Sequence, residues 1–280
     1  MTQKLKLTLL LLTISTFLLV GCGMGEFIEE EFSEEETEFL EEDFENEEAY
    51  LDEEDDEEFE DEEWDEPRSF ESVANEDIRI LAIGDSIFDS VPGGQDIPEV
   101  LGRELNINVL NNAHGGAQLV LEQDEQNEWG AMMDIRNQYI SGDWDWIVMD
   151  GGGNDLNDDC SCGECDAVLN EIITADGQSG ALPEAVQRMA TGDTKIMFMM
   201  YYNLPEGAEF GFNRCEEWHQ TYEDRLRRMG EGNQSVFIVD ASDVVKATDL
   251  QYFQEDLVHP SQEGAEVLGA YLAEKIREQQ

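Results

Sequence analysis

Ser86 is the first residue in the chain whose type and setting suggest covalent chemistry. It is reached through Gly84-Asp85 from an apolar run of strand length, Ile78-Arg79-Ile80-Leu81-Ala82-Ile83. A serine just past the carboxyl end of a strand lies on the edge where open α/β sheets bind their ligands. Its hydroxyl is a weak nucleophile until a base takes the proton. The chain has three histidines, and His259 follows Asp256 by three residues, just ahead of a long amphipathic stretch. That spacing lets a carboxylate hold one ring nitrogen while the other faces a serine, the arrangement of Ser-His-Asp acyl transfer. Gly-Asp-Ser is also an ordinary turn composition, so the triplet alone does not decide between the two readings.

Positioning these groups requires strands that end together. Apolar runs recur at residues 78–83, 107–110, 146–149, 195–201 and 236–239, without the alternation of a half-exposed strand. Continuous runs of this kind mark parallel strands buried on both faces. Helices are expected between them at 98–105, 129–140, 182–190, 215–229 and 262–277. Pro98 and Pro183 suit first helical turns, and Ser261 suits an N-cap. The alternation predicts one α/β domain, a parallel sheet covered on both faces. Three strand ends carry polar or glycine clusters: Gly84-Asp85-Ser86, Asn111-Asn112-Ala113-His114-Gly115-Gly116, and Asp150-Gly151-Gly152-Gly153-Asn154-Asp155. Each is a weak signal alone, since glycine at a strand end commonly just permits a turn. In a doubly wound sheet all three share one edge.

Gly84-Asp85-Ser86-Ile87, Gly116, Gly152-Gly153-Asn154-Asp155 and Asp256-Leu257-Val258-His259 resemble, in order and spacing, the blocks of the GDSL (SGNH) hydrolases. The resemblance runs from about Ile78 to the last helix. It implies a flavodoxin-like three-layer sandwich around a five-stranded parallel sheet. It implies an esterase working through an acyl-enzyme without cofactor or metal. Ser86 matches the nucleophile, His259 the general base and Asp256 the residue that orients it. The implied oxyanion donors are the Ser86 and Gly116 backbone N–H groups and the Asn154 side-chain amide, preorganised for the charge of a tetrahedral intermediate. The second block departs from the family's usual Asn-x-Gly-x-Ser-Gly, with Ala113 and Gly115 replacing glycine and serine, which leaves Gly115 as an alternative donor. Substrates implied are small-molecule, carbohydrate or lipid esters, with short-chain and acetyl esters first. An O-acyltransferase using the same serine and a non-catalytic surface binding module remain alternatives.

Other candidates read more plainly. His114 is expected near the site mouth, and His219 on a helix surface. Asp89 and Asp155 could attract a cation, but turn chemistry explains both. Met197, Met199 and Met200 read as core residues, while Tyr201, Tyr202 and Asn203 could line the site. Cys160, Cys162, Cys165 and Cys215 could hold zinc. In a secreted chain two disulfides are the expectation, with the pairing open.

The amino-terminal part is of another kind. Lys4 and Lys6 precede an apolar stretch to Val20, the form of a secretory signal. Leu19-Val20-Gly21-Cys22 resembles the bacterial lipobox, which implies a signal peptide at 1–21, lipidation of Cys22 and anchoring in the cell envelope, with Gly23 favouring the outer membrane. Residues 26–66 contain 27 acidic residues among 41 and no lysine or arginine. Residues 22–66 are thus expected to be a disordered acidic linker, and 67–280 the hydrolase domain. The domain retains 41 acidic against 13 basic residues. Such a charge repels phosphate backbones and argues against nucleic-acid binding.

Overall fold

Five parallel strands pair in the order β2-β1-β3-β4-β5. They are β1 (Ile78–Ile83), β2 (Asn108–Asn111), β3 (Trp146–Met149), β4 (Lys195–Met200) and β5 (Val236–Asp240). This is the architecture of a computed structural model, which describes residues 78–91, 95–121, 133–160, 163–208 and 215–280. All of these fall within the unit Asp65–Gln280. The expected signal, acidic linker and Cys22 lie outside the described residues. Among the described residues no helix is long and apolar enough to cross a membrane.

The strands sort their side chains by parity onto two cores, as a doubly covered sheet requires. Ile80, Ala82, Val148, Met197 and Met199 pack on one face with α1 (Ile97–Leu105) and α6 (Gln262–Glu278). Leu81, Ile83, Ile147, Met149, Phe198 and Met200 pack on the other. That second face meets α2 (Gly153–Asp158), α3 (Asp166–Ile172), α4 (Ala181–Met189) and α5 (Glu216–Gly232). The three methionines are core residues, as expected. Ser261 caps α6, its hydroxyl accepting from the Gly264 N–H at 3.1 Å.

Of the helix expected at 129–140, only Met133 is α-helical among the described residues. Residues 129–132 lie outside the described residues, and Ile135–Asn137 is a single 3-10 turn. Here the backbone bonds sideways: Gln118 N–H donates to Met133 O at 2.8 Å, and Ile135 N–H to Gln118 O at 2.9 Å. Asp134 then fixes the turn by accepting from the Arg136 backbone and guanidinium. Two short helices, α2 and α3, went unforeseen because the first begins inside a glycine run and neither has the length to show a period.

Strand order places the site. Ile83 lies opposite Met149, so Gly84 and Asp150 leave the sheet side by side. The order reverses between β1 and β3, and such a switch point opens a crevice between the departing loops.

Candidate active site

Ser86 follows β1 in a tight turn closed by Phe88 N–H to Asp85 O and Asp89 N–H to Ser86 O, both 3.2 Å. The turn is anchored from beneath. Asp85 is buried; its Oδ1 accepts from the Ile87 N–H at 3.0 Å and its Oδ2 from the Tyr201 hydroxyl at 2.6 Å. Its own N–H donates to Asp150 Oδ1 at 2.9 Å. Burial pushes the Asp85 carboxyl up, against the lowering effect of the Ile87 and Tyr201 donors and of nearby His259. Asp150, wholly buried beside Asp85, is pushed up further, by burial first and then by the neighbouring carboxyl.

Gly84 admits this arrangement because it has no side chain. Its φ is +153°, and a Cβ there would lie 1.8 Å from Asp150 Oδ1. Gln138 fills the other side, its Oε1 accepting from the Gly84 N–H at 2.7 Å and its Nε2 donating to Gly84 O at 2.9 Å. Gly84→Ala is expected to cost about 3 kcal/mol or more of stability from combined overpacking and backbone strain. A denaturation midpoint equal to that of the parent protein would refute this account of the turn.

His259 arrives from the other end of the chain. Its Nε2 lies 2.9 Å from Ser86 Oγ, and its Nδ1 lies 2.6 Å from Asp256 Oδ2. The other carboxylate oxygen, Oδ1, accepts the N–H groups of Val258 at 2.9 Å and His259 at 3.0 Å. Burial raises the Asp256 carboxyl, but the His259 ring and those two backbone donors outweigh it and hold the group below the usual range. Leu257 between them adopts φ +60°, a left-handed conformation costing roughly 1–2 kcal/mol in a branched residue. The Tyr202 hydroxyl steadies the segment by donating to Val258 O at 2.7 Å.

Two further loops supply donors. Gly116, with φ +80°, and Asn154, in the first turn of α2, line the same cavity as Ser86 and His259. The N–H groups of Ser86 and Gly116 make no hydrogen bond among the described residues. The Asn154 amide donates one hydrogen to Ala117 O at 2.9 Å, which fixes its plane and leaves a second N–H. Gly115, the alternative donor, is occupied: its N–H donates to Asp89 Oδ2 at 3.2 Å. That bond also explains Asp89 without a cation. Asp155 proves to be more than a turn residue. Its buried carboxylate accepts from Leu119 N–H at 3.0 Å and Val120 N–H at 2.8 Å, tying the Gly116 loop to α2. Burial raises its pKa to about 7 against the pull of those donors.

The cavity holds about 340 Å³ and is walled by Ile87, Val258 and Tyr201 beside the polar groups of Asn154 and Asn157. Tyr201 thus lines it, while Tyr202 supports the His259 segment and Asn203 bonds to Ser242. His114 does not reach the cavity lining. His219 is not a surface residue: it is buried on α5, near the Tyr201 ring and 3.6 Å from Glu223, and burial lowers its pKa to about 4. Gln138 is the site-supporting residue that sequence reasoning missed, since nothing in its neighbours marks it.

Cysteines brace the far end of α2. Cys160 and Cys165 form a disulfide. Cys215 is also disulfide-bonded. No cluster able to hold a metal forms among the described residues.

The profile of the GDSL-like lipase/acylhydrolase family matches residues 82–267. No curated protein sequence matches. Among solved structures, the chain is similar to a Streptococcus pneumonia protein provisionally named for platelet activating factor, at 20% identity and TM-score 0.52, covering 73% of this chain and 86% of that one. It is also similar to Est24, a carbohydrate acetylesterase from Sinorhizobium meliloti, at 12% identity and TM-score 0.50, covering 72% and 99%. A carbohydrate acetylesterase family member from the same organism shows 16% identity and TM-score 0.50, covering 71% and 97%. At these identities the likeness concerns the fold.

Proposed function

This chain belongs to the GDSL-like lipase/acylhydrolase family, a serine hydrolase acting on ester bonds, and from that premise we propose that it cleaves short-chain esters, acetyl esters above all, through an acyl-enzyme on Ser86. The observation that carries the reading is the hydrogen-bonded line Ser86–His259–Asp256 opening into a cavity of about 340 Å³. That volume sits at the small end of the roughly 300–1,000 Å³ range of small-molecule sites, which favours a short acyl group. The naming of two similar structures as carbohydrate acetylesterases supports an acetylated sugar as the natural substrate.

In this reading Ser86 Oγ attacks the ester carbon while its proton passes to His259 Nε2. Asp256 holds the ring so that Nδ1 carries the other proton and stabilises the imidazolium. The oxyanion forms where the N–H groups of Ser86 and Gly116 and the second hydrogen of the Asn154 amide can meet it. Collapse expels the alcohol, protonated by His259, and a water enters by the same path to release the acid. The N-terminal features of the sequence support a further proposal: the domain acts from the cell envelope, tethered by lipid on Cys22 through an acidic linker.

Two measurements test this. With the full chain, kcat/KM for p-nitrophenyl esters is expected to be greatest at acetate to butyrate and at least tenfold lower at decanoate. A preference for long chains would overturn the short-acyl reading, and turnover that depends on an added sugar hydroxyl would make the protein a transferase. Asn154→Ala is expected to lower kcat about 10²–10³-fold, equivalent to about 3–4 kcal/mol of transition-state stabilisation. A loss below threefold would remove Asn154 from the oxyanion site.

A further inference from the structure

Behind the cavity one hydroxyl joins the two loops that supply Ser86 and Asn154. The Tyr201 hydroxyl donates to Asp85 Oδ2 at 2.6 Å and accepts from the Gly153 N–H at 3.1 Å. Asp85 immediately precedes Ser86, and Gly153 immediately precedes Asn154. The tyrosine comes from a third element, the carboxyl end of β4, and is buried at 2% exposure. Its ring packs against the backbone of Gly153: a Cβ on that glycine would lie 3.1–3.2 Å from the ring and hydroxyl. We propose that Tyr201 is a positioning residue for ester hydrolysis, holding the nucleophile turn and the oxyanion helix at a fixed separation.

The physical case is geometric. An oxyanion donor is useful only when it stands about 2.7–3.1 Å from where charge develops on the attacked carbonyl. The carbonyl's place is set by Ser86 Oγ, and the donor's place by the start of α2. These elements belong to β1 and β3, and the Asn154 side chain itself bonds to a third segment, at Ala117. A shift between Ser86 and Asn154 therefore leaves each group intact but separates their targets. The link can carry this duty because it is buried and short, 2.6 Å between the Tyr201 hydroxyl and Asp85 Oδ2. Burial, followed by the Asp85 and Asp150 carboxyls, pushes the Tyr201 hydroxyl well above its usual range, so it stays a donor throughout the working pH range.

Because the link acts between two groups instead of on the substrate, its loss should appear in kcat and depend on Asn154. Tyr201→Phe keeps the ring and removes only the hydroxyl. Its expected effect is a 10- to 30-fold fall in kcat for p-nitrophenyl acetate with KM within twofold. In an Asn154→Ala background the same change should cost less than threefold, since the donor it positions is gone; residues acting through one contact are non-additive in this way. Asp85→Ala removes the acceptor at the link's other end and should reproduce the kcat loss, which covers the case in which the phenylalanine protein fails to fold. An unchanged kcat, a loss confined to KM, or an equal loss with and without Asn154 would overturn the proposal. The inference rests on Ser86 as nucleophile, and Ser86→Ala separates the two failures. If that variant stays active, the reading of the site is wrong; if it is inactive while Tyr201→Phe is unaffected, only the positioning role falls.

Discussion

Replacing Ser86 with alanine is expected to lower kcat for p-nitrophenyl acetate by about 10⁴–10⁶-fold while the denaturation midpoint barely moves. The hydroxyl makes one hydrogen bond among the described residues, to His259 Nε2, and the turn around it is held by backbone groups and by Asp85. Removing it costs about 1 kcal/mol of folding stability at most. Among the described residues the chemistry has no substitute within reach. Among the groups lining the cavity, Asp85 is engaged by Ile87 and Tyr201, and the remaining polar side chains are amides, the phenol and His259. Activity within tenfold of the parent protein would mean that the ester is attacked by some other group, and the site would have to be sought elsewhere.

Asp256→Asn is expected to cost about 10⁴-fold in kcat at neutral pH, although it alters the side chain by one atom type. Asp256 Oδ1 is committed to two backbone donors, Val258 N–H and His259 N–H. An asparagine must keep its oxygen there, or two partly buried N–H groups lose their acceptor. Its NH₂ then occupies the place of Oδ2, 2.6 Å from His259 Nδ1, and can only donate. The imidazole is thereby driven to the tautomer with its proton on Nε2, the nitrogen that must accept from Ser86. The fold should tolerate the change, with a midpoint shift of a few degrees. Wild-type-like turnover would show that the tautomer is set by something other than Asp256.

Much of this site could be read in the sequence because its chemistry is local. Asp256 and His259 lie in one turn, and Gly84-Asp85-Ser86 closes one strand, so their identity and spacing survive without the fold. The strands 78–83 and 146–149 were also legible, since burial on both faces leaves an unbroken apolar run. What stayed hidden depends on contacts distant in sequence. Gln138 matters because it meets Gly84, 54 residues away, and Asp155 because it meets Leu119, 36 residues away. His219 was misplaced for a different reason. Its charged neighbours Glu217 and Glu223 suggest an exposed helix, yet Cys215, His219, Tyr222, Leu226 and Met229 are all buried and recur every three or four residues. That stripe is present in the sequence, and a polar residue on it faces the core.

The 173 residues separating Ser86 from His259 have a consequence in time. Contacts between distant parts of a chain form late, because closing a long loop costs entropy before any contact repays it. Synthesis runs from the amino end, so Ser86 and the donor loops exist before Asp256 and His259 have been added. An unfinished chain therefore presents a serine with no partner to take its proton. Hydrolytic competence comes only once the segment at 256–259 has been made and has met Ser86.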